Sequence, residues 1–162
     1  MVGYKLVSTM RSGCLLMGSL LGKYQKKNIS VAQGGGCSLG TRGIDFHISG
    51  FKALGADSVL KKGYINISAK KGLKGCVIKF PKISVGATEN ILIAACFAKG
   101  KTKIRNCAIE PEILDLINFL KKLGCKINQV GKRKIDVLGV AKLKSAIHRV
   151  ISVSYTHLTL PT

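Results

Sequence analysis

The chain has 162 residues, is 46% hydrophobic and carries a formal net charge of +20 at pH 7. That length suits one ordinary domain with a real core and excludes two large ones. No apolar run reaches the length of a membrane span, the longest being residues 91–98 (ILIAACFA), and the N-terminus MVGYKLVSTMRSG has no apolar block before a small-residue cleavage site, so a cytoplasmic protein with no membrane partner is expected.

In chain order, residues 15–24 read as a first apolar helix and KKNISV (26–31) as a strand. A glycine-rich connection, AQGGGCSLG (32–40), leads to TRGIDFHIS (41–49) and a helix ending at Leu54-Gly55. A strand, a turn at Gly63 and a second strand, KGYINIS, follow. The order then recurs: an apolar helix over 89–98, the strand KTKIRN (101–106), the short connector RNCAIEPE, and a helix with Ile113, Leu116, Ile117 and Leu120 on one face. Glu110 and Glu112 suit the positive end of that helix, and Pro111 suits its first turn. Leu123-Gly124 closes it, and two strands flank Gly131.

These are two copies of one pattern. Leu54 matches Leu123, 69 residues on, and Ile29 matches Ile104, 75 residues on. The first copy thus spends six more residues between strand and helix, and they fall in the cysteine-bearing connection. A surplus in one copy points to function rather than folding. Residues 152–162 (SVSYTHLTLPT) contain no lysine and continue neither copy, so they read as a foreign tail.

The six cysteines form no CxxC pair, and no histidine stands at zinc-ligand spacing from them, so no metal and no cofactor is expected. Cys96 reads as a core thiol, and the thiols are expected to be reduced. The +20 charge invites a nucleic-acid partner. Against that, the lysines are scattered, often as pairs at element ends, Trp is absent, and no basic helix or aromatic-bearing strand motif is present. An anionic small molecule accounts for a basic site as well. A basic nucleic-acid-binding module stays the alternative.

Four segments could carry chemistry. In the loop, three glycines before Cys37 permit close backbone approach to a ligand, and Arg42 would favour the thiolate and hold an anion. A flexible loop with an incidental cysteine is the plain alternative. TRGIDFHIS brings Arg42, Asp45 and His47 to a helix entrance, which suits a phosphate; simple capping by Asp45 and a satisfied histidine would read the same. KISVGATEN (82–90) places Lys82 before another helix entrance without Walker spacing, where an N-cap by Ser84 or Thr88 is the rival. TMRS (9–12), with Arg11, stands at the start of the first apolar helix, in the place that Ala87–Asn90 takes in the second copy.

TMRSG, GGGCSLGTRGIDFHISGFKALGA, KGLKG, SVGATENILIAA and EPEILDLINFLKKLGCKI resemble the UDP-N-acetylglucosamine enolpyruvyl transferase family, with similarity from about Tyr4 to Ile151. The resemblance implies an α/β fold, an inside-out barrel of βαβαββ repeats with helices inside and sheets facing out. Residues 1–151 would be part of one of the family's two domains. It implies transfer of enolpyruvate from phosphoenolpyruvate to the 3-hydroxyl of UDP-N-acetylglucosamine with release of phosphate, the first committed step of peptidoglycan synthesis. Cys37 matches the loop cysteine that acts as general acid toward the methylene carbon, can form an adduct with phosphoenolpyruvate and is alkylated by fosfomycin. Arg42 matches an arginine that contacts phosphoenolpyruvate; Gly43, Ile44, Asp45 and Phe46 continue the segment lining the nucleotide sugar, and His47 falls beside the diphosphate. Lys82, Ile83, Ser84 and Val85 match a second uridine-nucleotide contact, and Arg11 an arginine near the nucleotide sugar. Gly34 and Gly43 stand where the family usually has proline, which implies a looser loop. The resemblance further implies a substrate-binding Lys-Asn pair upstream of Met1. It also implies a second domain after Ile151, bringing the catalytic aspartate and further arginines, so that this chain by itself would be an inactive fragment.

Overall fold

The computed structural model of the chain describes residues 11–32 and 44–152, and for Arg11 and Ser12 the backbone only. A 3-10 turn, Arg11–Leu15, runs into helix α1 (Leu16–Lys23). Strand β1 (Ile29–Ala32), helix α2 (Asp45–Ala53) and the hairpin β2 (Asp57–Lys61) and β3 (Tyr64–Ser68) complete the first copy. The second copy is β4 (Val77–Lys79), α3 (Val85–Ala95), β5 (Lys101–Arg105), α4 (Pro111–Lys122), β6 (Lys126–Gln129) and β7 (Lys134–Leu138).

The repeat extends to sheet topology. One sheet has the order β1-β3-β2 and the other β4-β5-β7-β6. β1, β3 and β2 pair antiparallel, as do β5, β7 and β6, while β4 adds parallel to β5. The pairing corrects one alignment. Ile67 faces Ile29 whereas its counterpart Val137 faces Thr102, so Val31, not Ile29, is the equivalent of Ile104. The copies are there 73 residues apart, and the first copy's surplus is four residues instead of six. A one-residue shift would have turned every side chain over; the two-residue shift kept the alternation and hid the error.

Helices α2 and α4 end alike. Leu54 and Leu123 are the last helical-type residues, followed by Gly55 and Gly124 at φ of 91° and 96°. In each, the next amide reaches back across the turn, Ala56 N–H to the Phe51 carbonyl (2.9 Å) and Cys125 N–H to the Leu120 carbonyl (3.0 Å). Gly55 N–H and Gly124 N–H donate to the Lys52 and Lys121 carbonyls (2.9 Å each), and the glycine supplies the left-handed backbone that this pair of hydrogen bonds requires. The β2–β3 hairpin closes on Lys62-Gly63, both at positive φ (50° and 73°), the twist that a two-residue turn needs. At the start of α4, Pro111 and Glu112 occupy the first turn, as expected.

Other boundaries moved. The helix expected over 89–98 starts at Val85, because the Ser84 hydroxyl accepts from Ala87 N–H and caps it there. It ends at Ala95, where Phe97 and Ala98 donate three residues back and tighten the chain. Strand β4 escaped the sequence reading, although Ile78 and Phe80 are buried while Val77 and Lys79 are exposed.

Helix α3 sits in the middle and packs against α1, α2 and α4. Ala87, Thr88, Asn90, Ile91, Leu92, Ala94 and Ala95 are all buried, so it has almost no solvent face. The sheets lie outside, turning Val31, Ile65 and Ile67, or Ile104, Ile127, Ile135 and Val137, inward. Their outer faces carry exposed lysines: Lys61, Lys79, Lys101, Lys103, Lys126 and Lys134. Helices inside and sheets outside is the arrangement expected. Glycines let the helix backbones approach closely. A Cβ on Gly18 would stand 2.5 Å from the Asn90 carbonyl oxygen, and one on Gly50 would stand 2.5 Å from Ile91 Cδ1.

Candidate active site

The first turns of α2 and α3 and the start of α1 meet at one buried polar cluster. His47, in the first turn of α2, is 7% exposed. Its Nδ1 lies 2.7 Å from Asn90 Nδ2. The same Asn90 nitrogen donates to the Cys14 carbonyl (2.9 Å), and Asn90 Oδ1 accepts from Gly18 N–H (2.8 Å). One side chain on α3 thus ties α1, the turn before it and α2 together. Burial holds the His47 pKa below its ordinary 6.5, because the charged ring would lose its water.

On the other side of the ring lies Gly86. The place a Cβ would take there is 3.4 Å from His47 Cε1 and 3.6 Å from Nε2. Glycine therefore leaves the ring edge open toward the start of α3. Below it, Thr88 Oγ1 donates to the Ser84 carbonyl (2.7 Å) and accepts from Ala108 N–H (3.0 Å), which fixes that first turn to the connector before α4. Helix α2 is built differently. Its cap residue Ile44 offers no side-chain hydrogen bond, and Asp45, the first helical residue, is exposed. Capping by Asp45 is therefore not what the sequence encodes there. With the cap side chain silent, the positive end of the helix has no side-chain cap from Ile44 to offset it.

Of the residues singled out from sequence, Ile44, Asp45, Phe46 and His47 form the start of α2. Ser84 and Val85 form the start of α3, just before Gly86 beside the same ring, and Lys82 and Ile83 stand exposed just before them. Ser84 is the cap its rival reading proposed. Arg11 opens the 3-10 turn, but its side chain, like all of Cys37, Arg42 and Gly43, lies outside the described residues. The sequence reading missed Asn90. It stood in the quoted SVGATEN segment, and a lone amide in a run as apolar as NILIAA was the available signal. Among the described residues no group of three metal-ligating side chains occurs, and no helix is long and apolar enough to cross a membrane. Among the described residues, Cys76, Cys96, Cys107 and Cys125 are free thiols, and Cys96 is fully buried.

The sequence pattern of the EPSP synthase family (3-phosphoshikimate 1-carboxyvinyltransferase) matches residues 1–153. The chain belongs to that family. Among the family's curated members, the UDP-N-acetylglucosamine 1-carboxyvinyltransferases of Pelagibacter ubique and Endomicrobium trichonymphae are each 51% identical to it over 148 residues. Those 148 residues are 91% of this chain and 35% of either relative, so the chain spans about a third of their length. The resemblance carried by the cysteine-loop motifs is thereby borne out. Among solved structures of this family's fold, the enolpyruvyl transferase NikO from Streptomyces tendae superposes with a TM-score of 0.71 at 17% identity. It covers 86% of this chain and 32% of that one. An EPSP synthase from Acinetobacter baumannii gives 0.61 at 24% identity, over 82% of this chain and 30% of its own. Both superpose on this chain with the fold that the resemblance implies.

Proposed function

We propose that a protein of the relatives' length carrying this chain transfers enolpyruvate from phosphoenolpyruvate to the 3-hydroxyl of UDP-N-acetylglucosamine, releasing phosphate, and so opens peptidoglycan synthesis. The observation that carries this reading is the meeting of two helix starts at His47, with the cysteine loop leading directly into one of them. Both helix starts favour negative charge, and Arg42, Lys82 and Arg11 would add fixed positive charge where phosphates must be held. Ile44, Asp45 and Phe46 with Gly43 would line the nucleotide sugar, and Ile83, Ser84 and Val85 the uridine side.

In this reading Cys37 gives its proton to the methylene carbon of phosphoenolpyruvate. The sugar hydroxyl then adds to the adjacent carbon and gives its proton to a base of the full-length protein, phosphate leaves with the electron pair of its bond, and the new methyl group releases a proton so that the enol double bond re-forms. Protonating that carbon creates an oxocarbenium-like centre, so an acid set in place with water excluded lowers the steepest part of the barrier. Arginine and helix dipoles stabilise the departing phosphate. The same thiol is the group fosfomycin would alkylate. The process belongs to the cytoplasm and supports cell shape and division. No cofactor or metal has a part in it, and the partners are the two small substrates and a second domain of the same protein. The scattered lysines give nucleic acid no defined groove.

The test is turnover by the enzyme extended to the relatives' length. Cys37→Ser and Cys37→Ala are expected to lower kcat by about 100- to 10,000-fold, the usual contribution of a general acid. Unchanged kcat in both variants would remove Cys37 from the mechanism.

A further inference from the structure

The hydrogen bonds of Asn90 fix more than packing. Its Oδ1 faces Gly18 N–H, which can only donate, and its Nδ2 faces the Cys14 carbonyl, which can only accept. Turning the amide over would set donor against donor and acceptor against acceptor at once, so one orientation satisfies both. In that orientation the second proton on Nδ2 points to His47 Nδ1 at 2.7 Å. Nδ1 must then present a lone pair. A neutral imidazole with its lone pair on Nδ1 carries its proton on Nε2. A second proton on Nδ1 would meet the Asn90 N–H head-on.

We propose that Asn90 is a positioning residue: it holds His47 neutral with its one proton on Nε2, directed past Gly86 into the space between the first turns of α2 and α3. Nε2 has no partner among the described residues, in a ring that is more than nine-tenths buried. Among the described residues no charged group contributes to its shift, which burial causes. His47 thus offers a ligand one hydrogen bond and no charge, and it neither takes nor gives up a proton near neutrality. The ligand meant here is the phosphorylated substrate of the proposed function, so the role of the hydrogen bond rests on that reading, whereas the protonation state does not.

The experiment is NMR of the ring nitrogens in the 15N-labelled chain, with His47→Gln used to assign His47 among the three histidines. At pH about 7 the wild-type ring is expected to show the Nε2–H tautomer and to stay neutral as the pH falls through about 6.5. In Asn90→Asp the carboxylate accepts from Nδ1–H instead. The ring is then expected to be charged at pH about 7, its pKa rising above that of free histidine. A wild-type ring protonated on Nδ1 or charged at that pH overturns the proposal, as does a folded Asn90→Asp chain whose His47 stays neutral. Should Asn90→Asp fail to fold, the wild-type spectrum decides by itself. None of these outcomes bears on Cys37, whose turnover test stands apart.

Discussion

At the scale of the residue, His47 makes stability depend on pH with a definite sign. Its folded pKa lies below 6.5, so the unfolded chain takes up the proton first as the pH falls. The contribution is complete above about 6.5 and drains away between that value and the lower folded pKa. Glu89 works in the opposite direction. Burial, with the nearby Glu112, raises its pKa, so the native state gains relative stability as Glu89 is protonated. The difference between wild type and His47→Gln isolates the histidine. Gln can still accept from Asn90 but has no proton to gain. Urea unfolding at pH about 7.5 and 5.5 is expected to show a larger loss for wild type than for His47→Gln. The helix-entrance residues could be read from sequence because each sits next to the turn that positions it. Asn90 could not be assigned a role in that way. Its three partners lie 43, 72 and 76 residues away, and only the folded chain brings them to one side chain.

At the scale of the element, what the sequence displayed were local devices. Leu-Gly at the ends of α2 and α4, Pro111 and Glu112 at the start of α4, and the glycine at each hairpin all act within a few residues of themselves. The helix boundaries and β4 were harder to read. The start of α3 depends on a Ser84 cap that competed with other serines and threonines, and β4 is short and joins the sheet only through its distant partner β5. The contact between α1 and α3 was also hidden, although it is strict. Gly18→Ala would drive a methyl to within 2.5 Å of the Asn90 carbonyl oxygen and 2.7 Å of Oδ1. The helices must part or the Gly18–Asn90 hydrogen bond must break. A loss of about 1–3 kcal/mol is expected, read as a lower urea midpoint at unchanged slope.

For the whole molecule, the duplicated pattern predicted the architecture well because each copy repeats the same order of elements, and the sheet orders β1-β3-β2 and β5-β7-β6 agree strand for strand. The net charge of +20 predicted less. Apart from Lys82, just before α3, its described lysines spread over the outer faces of both sheets and the ends of helices, and the few acids are partly committed in pairs such as Asp136 with Lys101 and Arg105. The chain spans about a third of its relatives' length. On the proposed function, with catalytic groups drawn from a second domain as well, these 162 residues would not assemble the transition-state site by themselves. Phosphate release from phosphoenolpyruvate and UDP-N-acetylglucosamine by the chain alone is expected to match the protein-free control, measured by a phosphate-coupled assay. Release that requires both substrates would show that the chain is sufficient.

The glycine contacts of the helical interior also set how this lineage can drift. At Gly22 and Gly50 the obstructions to a new methyl are the Phe97 ring (2.3 Å) and the end of Ile91 (2.5 Å). Each is a side chain that a second substitution can trim, so those positions can change in correlated pairs. At Gly18 a nearest obstacle is a backbone carbonyl, which no substitution removes. Descendants can exchange Gly22 with Phe97 or Gly50 with Ile91 by a two-step path, while Gly18 has no such compensating partner and is held fixed for as long as α1 and α3 touch.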